Sequence, residues 1–173
     1  MEIAINEVKT QARKLLKALK TDQTLQQKMA LQLKKNKFGP ISELQLKHCL
    51  TLISQQLGFS NWPHAQRILS GNEQLENRPD MGSAFYTKAC DGLLNQWFAE
   101  YELAKAVLTM QPSTSWLIPY QKQFIVVTRD YLALLNVSDD CEQWWQEIGH
   151  DLFAGYNTQA WDKLAYVMIR NRT

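Results

Sequence analysis

Apolar residues recur every three or four positions along most of the chain, which is the spacing of one face of an α-helix. In residues 3–20, for example, Val8, Ala12 and Leu15 belong to one apolar stripe, and lysine and arginine residues occupy the opposite face. Similar stripes predict three further helices in the first 71 residues, over 22–36, 42–57 and 60–69.

Capping and turn residues mark the ends of these predicted helices. Asp22 is suited to cap the second helix, and Ser42 with Gln45 forms a capping-box pattern at the start of the third. Gly58 follows the third helix, where glycine can take the left-handed conformation without steric cost. Ser60 is expected to cap the fourth helix. These signals predict an N-terminal module of four helices.

The second half also has helical spacing, with one ambiguous segment. Residues 82–110 have the longest apolar stripe, and we predict another helix from Pro119 to Asn136. Within it, the run 124–128 is rich in β-branched residues, so a strand is the alternative there. Two further helices are predicted, over 138–149 and 158–169.

The segment 72–80 is polar and contains a proline, which predicts a linker between two parts of the chain. The predicted fold class is therefore all-α. A basic four-helix module occupies residues 1–71, and an acidic, aromatic-rich helical bundle occupies residues 80–173.

Charge is distributed unevenly between these parts. Residues 1–71 hold 11 lysine and arginine residues against 4 acidic residues, whereas residues 72–173 hold 8 against 13. One interpretation is that the two halves attract each other, or that the basic helix faces are simply solvated. The other is that the basic half binds an acidic partner such as nucleic acid.

Cysteine usage and the N-terminal sequence predict a cytoplasmic protein. The chain has 3 cysteines, Cys49, Cys90 and Cys141, with no C-x-x-C pair, which favours a reducing compartment. The N-terminus lacks the basic start and apolar run of a signal peptide, and no apolar stretch is long enough to cross a membrane.

Motifs for catalysis, metal binding and phosphate binding are missing from the sequence. Its 3 histidines, His48, His64 and His150, show neither H-x-x-x-H nor H-E-x-x-H spacing. There is no G-x-S-x-G, no G-x-x-x-x-G-K and no G-x-G-x-x-G. We therefore predict no catalytic residue, no metal ligand and no cofactor.

Four residues of the second half are the best candidates for a ligand or partner surface. His150 and Asp151 are adjacent, and an aspartate can raise the pKa of a histidine and orient its ring. The alternative is that these two residues have only a structural role at the end of a helix. Trp116 lies in a predicted loop, where it either marks a partner surface or packs inward as a plug. Trp145 lies close to the histidine in sequence.

The stretch from Leu44 to Leu69, LQLKHCLTLISQQLGFSNWPHAQRIL, carries a family resemblance. With the first helix, it resembles the small N-terminal helical module of bacterial glyoxalase-related proteins. Residues 8–15 and 49–54 match two helices of that module, and residues 57–62 match its L-G-Y/F-x-x-W turn. The resemblance covers residues 1–71 only. It implies the helical module and no glyoxalase activity, because residues 80–173 lack the expected strands and metal ligands.

Residues 44–69 also resemble a helix-turn-helix of the arabinose-regulator type, in which a glycine turn joins two helices and the second enters the major groove. This resemblance implies contacts with base edges or phosphates from the second helix, and with the DNA backbone from the first. The residues concerned are Asn61, His64, Gln66 and Arg67 in the second helix and Lys47 in the first.

Three functional hypotheses follow from the sequence. The favoured one is a non-enzymatic, regulatory protein that binds a protein partner or forms a homo-oligomer, because the chain is rich in aromatic residues without convergent polar chemistry. The second is a DNA-binding regulator acting through residues 44–69. The third is a small-ligand protein or enzyme with a pocket near His150. A membrane is not an expected partner.

Overall fold

A computed structural model describes residues 2–172 of the chain, which form eight α-helices and three β-strands. The helices are α1 (Ile3–Thr21), α2 (Gln23–Lys35), α3 (Leu46–Gln56), α4 (Trp62–Leu69), α5 (Tyr101–Met110), α6 (Arg129–Leu134), α7 (Glu142–Glu147) and α8 (Gln159–Arg170). The strands are β1 (Gln96–Phe98), β2 (Trp116–Tyr120) and β3 (Gln123–Val127). The protein is mainly helical, as predicted, but the all-α class is wrong because of the sheet.

The four helices predicted in the first 71 residues are present, but two of them begin at residues other than those predicted. Asp22 caps α2 by accepting the Leu25 amide at 3.0 Å. The third helix begins at Leu46 instead of after Ser42, because Leu44 is extended and buried. The residue before this helix is Gln45, whose amide donates to His48 Nδ1 at 3.1 Å.

The start of α4 also differs by one residue from the prediction. Asn61, and not Ser60, caps this helix by accepting the amide of His64 at 2.9 Å. Pro63 lies in the first turn, where it removes no intrahelical hydrogen bond.

The prediction of one long helix over 82–110 is wrong. Only α5 is α-helical there, and it follows a short 3-10 helix (Lys88–Gly92) and strand β1. The side chain of Asn95 donates to the carbonyls of Cys90 and Leu93, which fixes a turn in the middle of the predicted helix. Strand β1 then pairs with β3, which is distant in sequence.

The helix predicted from Pro119 to Asn136 is also wrong over most of its length. Strands β2 and β3 form a hairpin in which Tyr120 pairs with Gln123, so the turn contains two residues. The first of these, Gln121, has a φ of +52°, as tight hairpin turns require. The strand alternative is thus confirmed for 124–127, and helix begins only at α6.

The sheet is antiparallel with strand order β1-β3-β2. Phe124 to Val127 of the central strand are buried, so they face protein on both sides of the sheet. Helix α5 packs against the sheet. On the outer side of β2, Leu117 donates to the His150 carbonyl and accepts from Leu152, each at 2.9 Å.

The two parts of the chain share one apolar core. Helix α8 packs against α1. Polar contacts also join the parts, because the Tyr156 hydroxyl donates to the Ile68 carbonyl at 2.8 Å. Among residues 2–172, none of the helices combines the length and the apolar character needed to cross a membrane.

Candidate functional site

Residues 44–69 form a helix, a glycine turn and a second helix, which positions the five residues suggested for DNA recognition. His64 is only 5% exposed. Its Nδ1 accepts the Ser60 amide at 3.2 Å, so its Nε2 is the nitrogen that donates to the Asp80 carbonyl, at 2.6 Å. Both ring nitrogens are therefore used inside the protein. His64 joins the start of α4 to the loop at Asp80 and does not present an edge to a base.

The other four residues are exposed, but some of their side chains already bind other groups of the protein. Asn61 uses its side-chain oxygen to cap α4. Arg67 forms an ion pair with Glu73, which lies just beyond the module. Lys47 and Gln66 lie on different helices. The structure thus does not bring these five side chains together as a base-reading surface.

His150 and Asp151 are adjacent in sequence but contact different groups. His150 Nδ1 lies 2.7 Å from the Pro112 carbonyl, and Nε2 lies 3.1 Å from a carboxylate oxygen of Glu142. Arg129 also binds Glu142, at 3.0 Å. Burial opposes ionisation of Glu142, but the hydrogen bonds from Arg129 and His150 outweigh it and lower its pKa. The pair considered from the sequence, His150 with Asp151, is therefore not formed.

Asp151 is 4% exposed and is held by three donors. One carboxylate oxygen accepts the amides of Phe153 and Ala154, and the other accepts the Tyr101 hydroxyl at 2.7 Å. Burial raises the pKa of Asp151 although these hydrogen bonds lower it. Asp151 therefore organises the turn before α8 together with Tyr101.

Both tryptophans of the suggested surface lie inside the protein. Trp116 is 2% exposed and begins β2, so the interpretation as an exposed loop residue is wrong and inward packing is confirmed. Its ring stacks on His150 at a centroid distance of 5.1 Å, and the Arg129 guanidinium lies 4.8 Å from its centre. Trp145 is fully buried in α7.

Most basic side chains of the first 47 residues are exposed, and we call them together the basic surface. Its members are Arg13, Lys14, Lys17, Lys20, Lys28, Lys34, Lys35, Lys37 and Lys47. None of these residues forms an ion pair with a carboxylate of residues 2–172. Carboxylates of the acidic half pair instead with Arg67, Arg78 and Arg129.

Two cavities border the N-terminal helices. One, of about 490 Å³, has a mostly polar lining that includes Lys35, Gln55 and Asp80. The other, of about 680 Å³, lies between α1, α2, α3 and the end of α8, and we call it the four-helix cavity. Sequence reasoning missed both, because their lining residues come from distant segments and match no motif.

A metal site needs several histidine, cysteine or acidic side chains that converge on one point. Within residues 2–172, no group of three histidine, cysteine or acidic side chains is placed so that it could hold a metal ion. The three cysteines are reduced and buried.

Comparison with protein-family models, with curated proteins and with solved structures gave no match to this chain. The resemblance of residues 1–71 to the glyoxalase-related module therefore stays a prediction.

Proposed function

We propose that this chain is a non-enzymatic binding protein and that its basic surface holds the phosphate backbone of a nucleic acid. The observation that carries this proposal is the absence of ion pairs between the basic surface and the carboxylates of residues 2–172. The acidic half does not neutralise these charges, so they remain free to attract a polyanion. A cytoplasmic location belongs to the same proposal.

The composition of the basic surface favours nucleic acid over an acidic protein. Lysine is depleted in protein–protein interfaces, which depend on aromatic and apolar anchors. Eight of the nine members are lysines. Phosphate oxygens are suitable partners for such side chains, because each contact releases condensed counterions.

The expected binding mode is contact with the backbone and not the reading of bases. His64 is buried, Asn61 caps its helix and Arg67 is paired with Glu73. Backbone contacts position a protein on nucleic acid without carrying sequence information. We therefore expect weak dependence on sequence and strong dependence on salt.

A fluorescence-anisotropy titration with a labelled DNA duplex, repeated over a series of KCl concentrations, tests this proposal. The double variant Lys17→Gln/Lys20→Gln removes two charges from the exposed side of α1. We expect it to weaken binding and to reduce the slope of log K against log salt by about 2 if both lysines contact phosphates.

The matched control is Lys88→Gln/Lys122→Gln, which removes two exposed charges from the acidic half. It should leave the slope unchanged. Absence of binding at the lowest salt concentration, or equal weakening by the two double variants, would contradict the proposal.

A second candidate function is self-association through α5. Leu103 and Met110 are 59% and 79% exposed, and they lie two turns apart on one side of the helix, with Ala106 between them. Such a stripe suits pairing with a second copy of the chain. Sedimentation equilibrium should show a dimer that Leu103→Lys dissociates and Leu31→Lys, on the exposed side of α2, does not. A monomer at all concentrations would exclude it.

A further inference from the structure

The four-helix cavity has the volume of a ligand site and is built from four elements that are distant in sequence. Its volume of about 680 Å³ falls within the range of small-molecule pockets. Leu15 belongs to α1, Leu25 and Met29 to α2, and Ile53 to α3. Clefts between helices of this kind are frequent ligand sites.

The floor of the cavity is apolar. Met29 and Ile53 are buried in the core, whereas Leu15 and Leu25 are only half-buried. The half-buried leucines leave apolar surface in contact with water inside the cleft, and covering that surface with a hydrocarbon group is favourable. The floor therefore suits an alkyl chain.

The rim of the cavity carries more positive than negative charge. Lys14, Arg170 and Arg172 line it, against one carboxylate, that of Glu7. Glu7 is already engaged, because it accepts a hydrogen bond from the Gln11 amide at 3.0 Å. Lys14 and Arg172 can therefore supply cationic partners to a negatively charged group.

Arg172 provides an electrostatic reason why an anion should bind at the rim of the cavity. Its Nη1 donates to the carbonyls of Leu57, Ser83 and Ala84 at 3.2, 3.1 and 2.8 Å. Burial lowers the pKa of Arg172, and no carboxylate of residues 2–172 forms an ion pair with it. A partly desolvated guanidinium with only neutral acceptors gains from a nearby anion.

We propose that the four-helix cavity binds an amphiphilic anion, with its alkyl chain on the leucine and methionine floor and its head group at Lys14 and Arg172. A carboxylate and a phosphate monoester share the required chemistry. This site shares Lys14 with the basic surface, but its other lining residues lie outside that surface, so the proposal does not depend on nucleic-acid binding.

Calorimetric titration with four ten-carbon probes, each kept below its micelle-forming concentration, tests the proposal. Decanoate and decyl phosphate represent the two anionic heads, decanol carries no charge, and decyltrimethylammonium carries a positive one. We expect the better anion to bind roughly tenfold more tightly than decanol, as one hydrogen bond to a charged group would give. The cationic probe should bind most weakly.

Two variants locate the site. Leu25→Trp should fill the cavity and abolish decanoate binding, whereas Leu31→Trp places the same ring on the exposed side of α2 and should leave binding unchanged. Lys14→Gln should weaken decanoate roughly tenfold and leave decanol unaffected. Because Lys14 is exposed, this variant retains the fold even if Leu25→Trp does not.

Equal affinity for decanoate and decanol, no binding of any probe at millimolar concentration, or equal binding by folded Leu25→Trp and Leu31→Trp would overturn the proposal. The DNA titration distinguishes the two proposals, because Leu25→Trp should still bind the duplex. A protein that fails to bind DNA but still binds decanoate would contradict the nucleic-acid proposal and support the cavity proposal.

Discussion

Asp162 lies in the last helix of the protein but caps the first. Its carboxylate, which is 3% exposed, accepts the amides of Ile3 and Ala4 at 3.1 and 3.0 Å. Those amides belong to the first turn of α1, where they have no intrahelical acceptor. A carboxylate there also interacts favourably with the helix dipole. One side chain thus satisfies a terminus that lies 158 positions away in sequence.

We expect Asp162→Ala to lower the free energy of unfolding by about 1–3 kcal/mol, because it leaves partly or fully buried amides without an acceptor. Urea denaturation measures this change. Glu2→Ala is the control, since Glu2 precedes α1 but makes no side-chain cap, and it should change stability by less than about 0.5 kcal/mol. Equal effects of the two substitutions would show that Asp162 is not the cap.

At the scale of elements, α2 and α8 match the prediction closely, whereas the β-hairpin does not. Asp22 caps α2 as predicted, and Thr158 caps α8 in the same way, each by accepting an amide three residues ahead. In contrast, the residues of β2 and β3 have apolar spacing that fits a helix as well as a buried strand. Their conformation was decided by pairing with each other and with β1.

The turn between α3 and α4 allows a direct test of a local signal. Gly58 has a φ of +90°, as predicted for this position, and a Cβ built on it would lie 2.2 Å from Ser83 Oγ and 2.8 Å from the Ser83 carbonyl carbon. We expect Gly58→Ala to destabilise the protein by about 1–3 kcal/mol through backbone strain, with a further cost from the clash.

Gly92→Ala serves as the matched control for this turn. Nothing lies within 4 Å of a Cβ built at Gly92, and its φ is not in the left-handed region. The substitution should be neutral or stabilise the protein by up to about 1 kcal/mol, because alanine restricts the unfolded chain. Thermal melts of both variants would refute the argument if Gly58→Ala were as stable as Gly92→Ala.

At the scale of the whole molecule, the two parts predicted from the linker pattern behave as one packed unit. Helix α8 covers α1, Tyr156 binds the end of α4, and Arg172 binds carbonyls on both sides of the 72–80 segment. The charge asymmetry contributes little to joining them, because among residues 2–172 only Arg67 with Glu73, and His64 with Asp80 at 4.0 Å, pair across the basic and acidic halves.

We therefore expect the full chain to unfold in one transition, with helical circular dichroism and tryptophan fluorescence giving the same midpoint in urea. The isolated segment 1–71 should lose most of its helix content, because it lacks the α8 surface and the Asp162 cap and is small enough to be marginal alone. A cooperative, fully helical 1–71 fragment would contradict this expectation.

The sequence by itself determined the helices that carry their own caps, the left-handed turn at Gly58 and the uneven distribution of charge. These features depend on neighbours within a few residues, so their physical causes are visible in the chain. Tertiary structure alone decided that 116–127 is a hairpin, that His64 and Trp116 are buried, and that four helices border an open cleft. Those outcomes depend on contacts between distant segments, which no local spacing encodes.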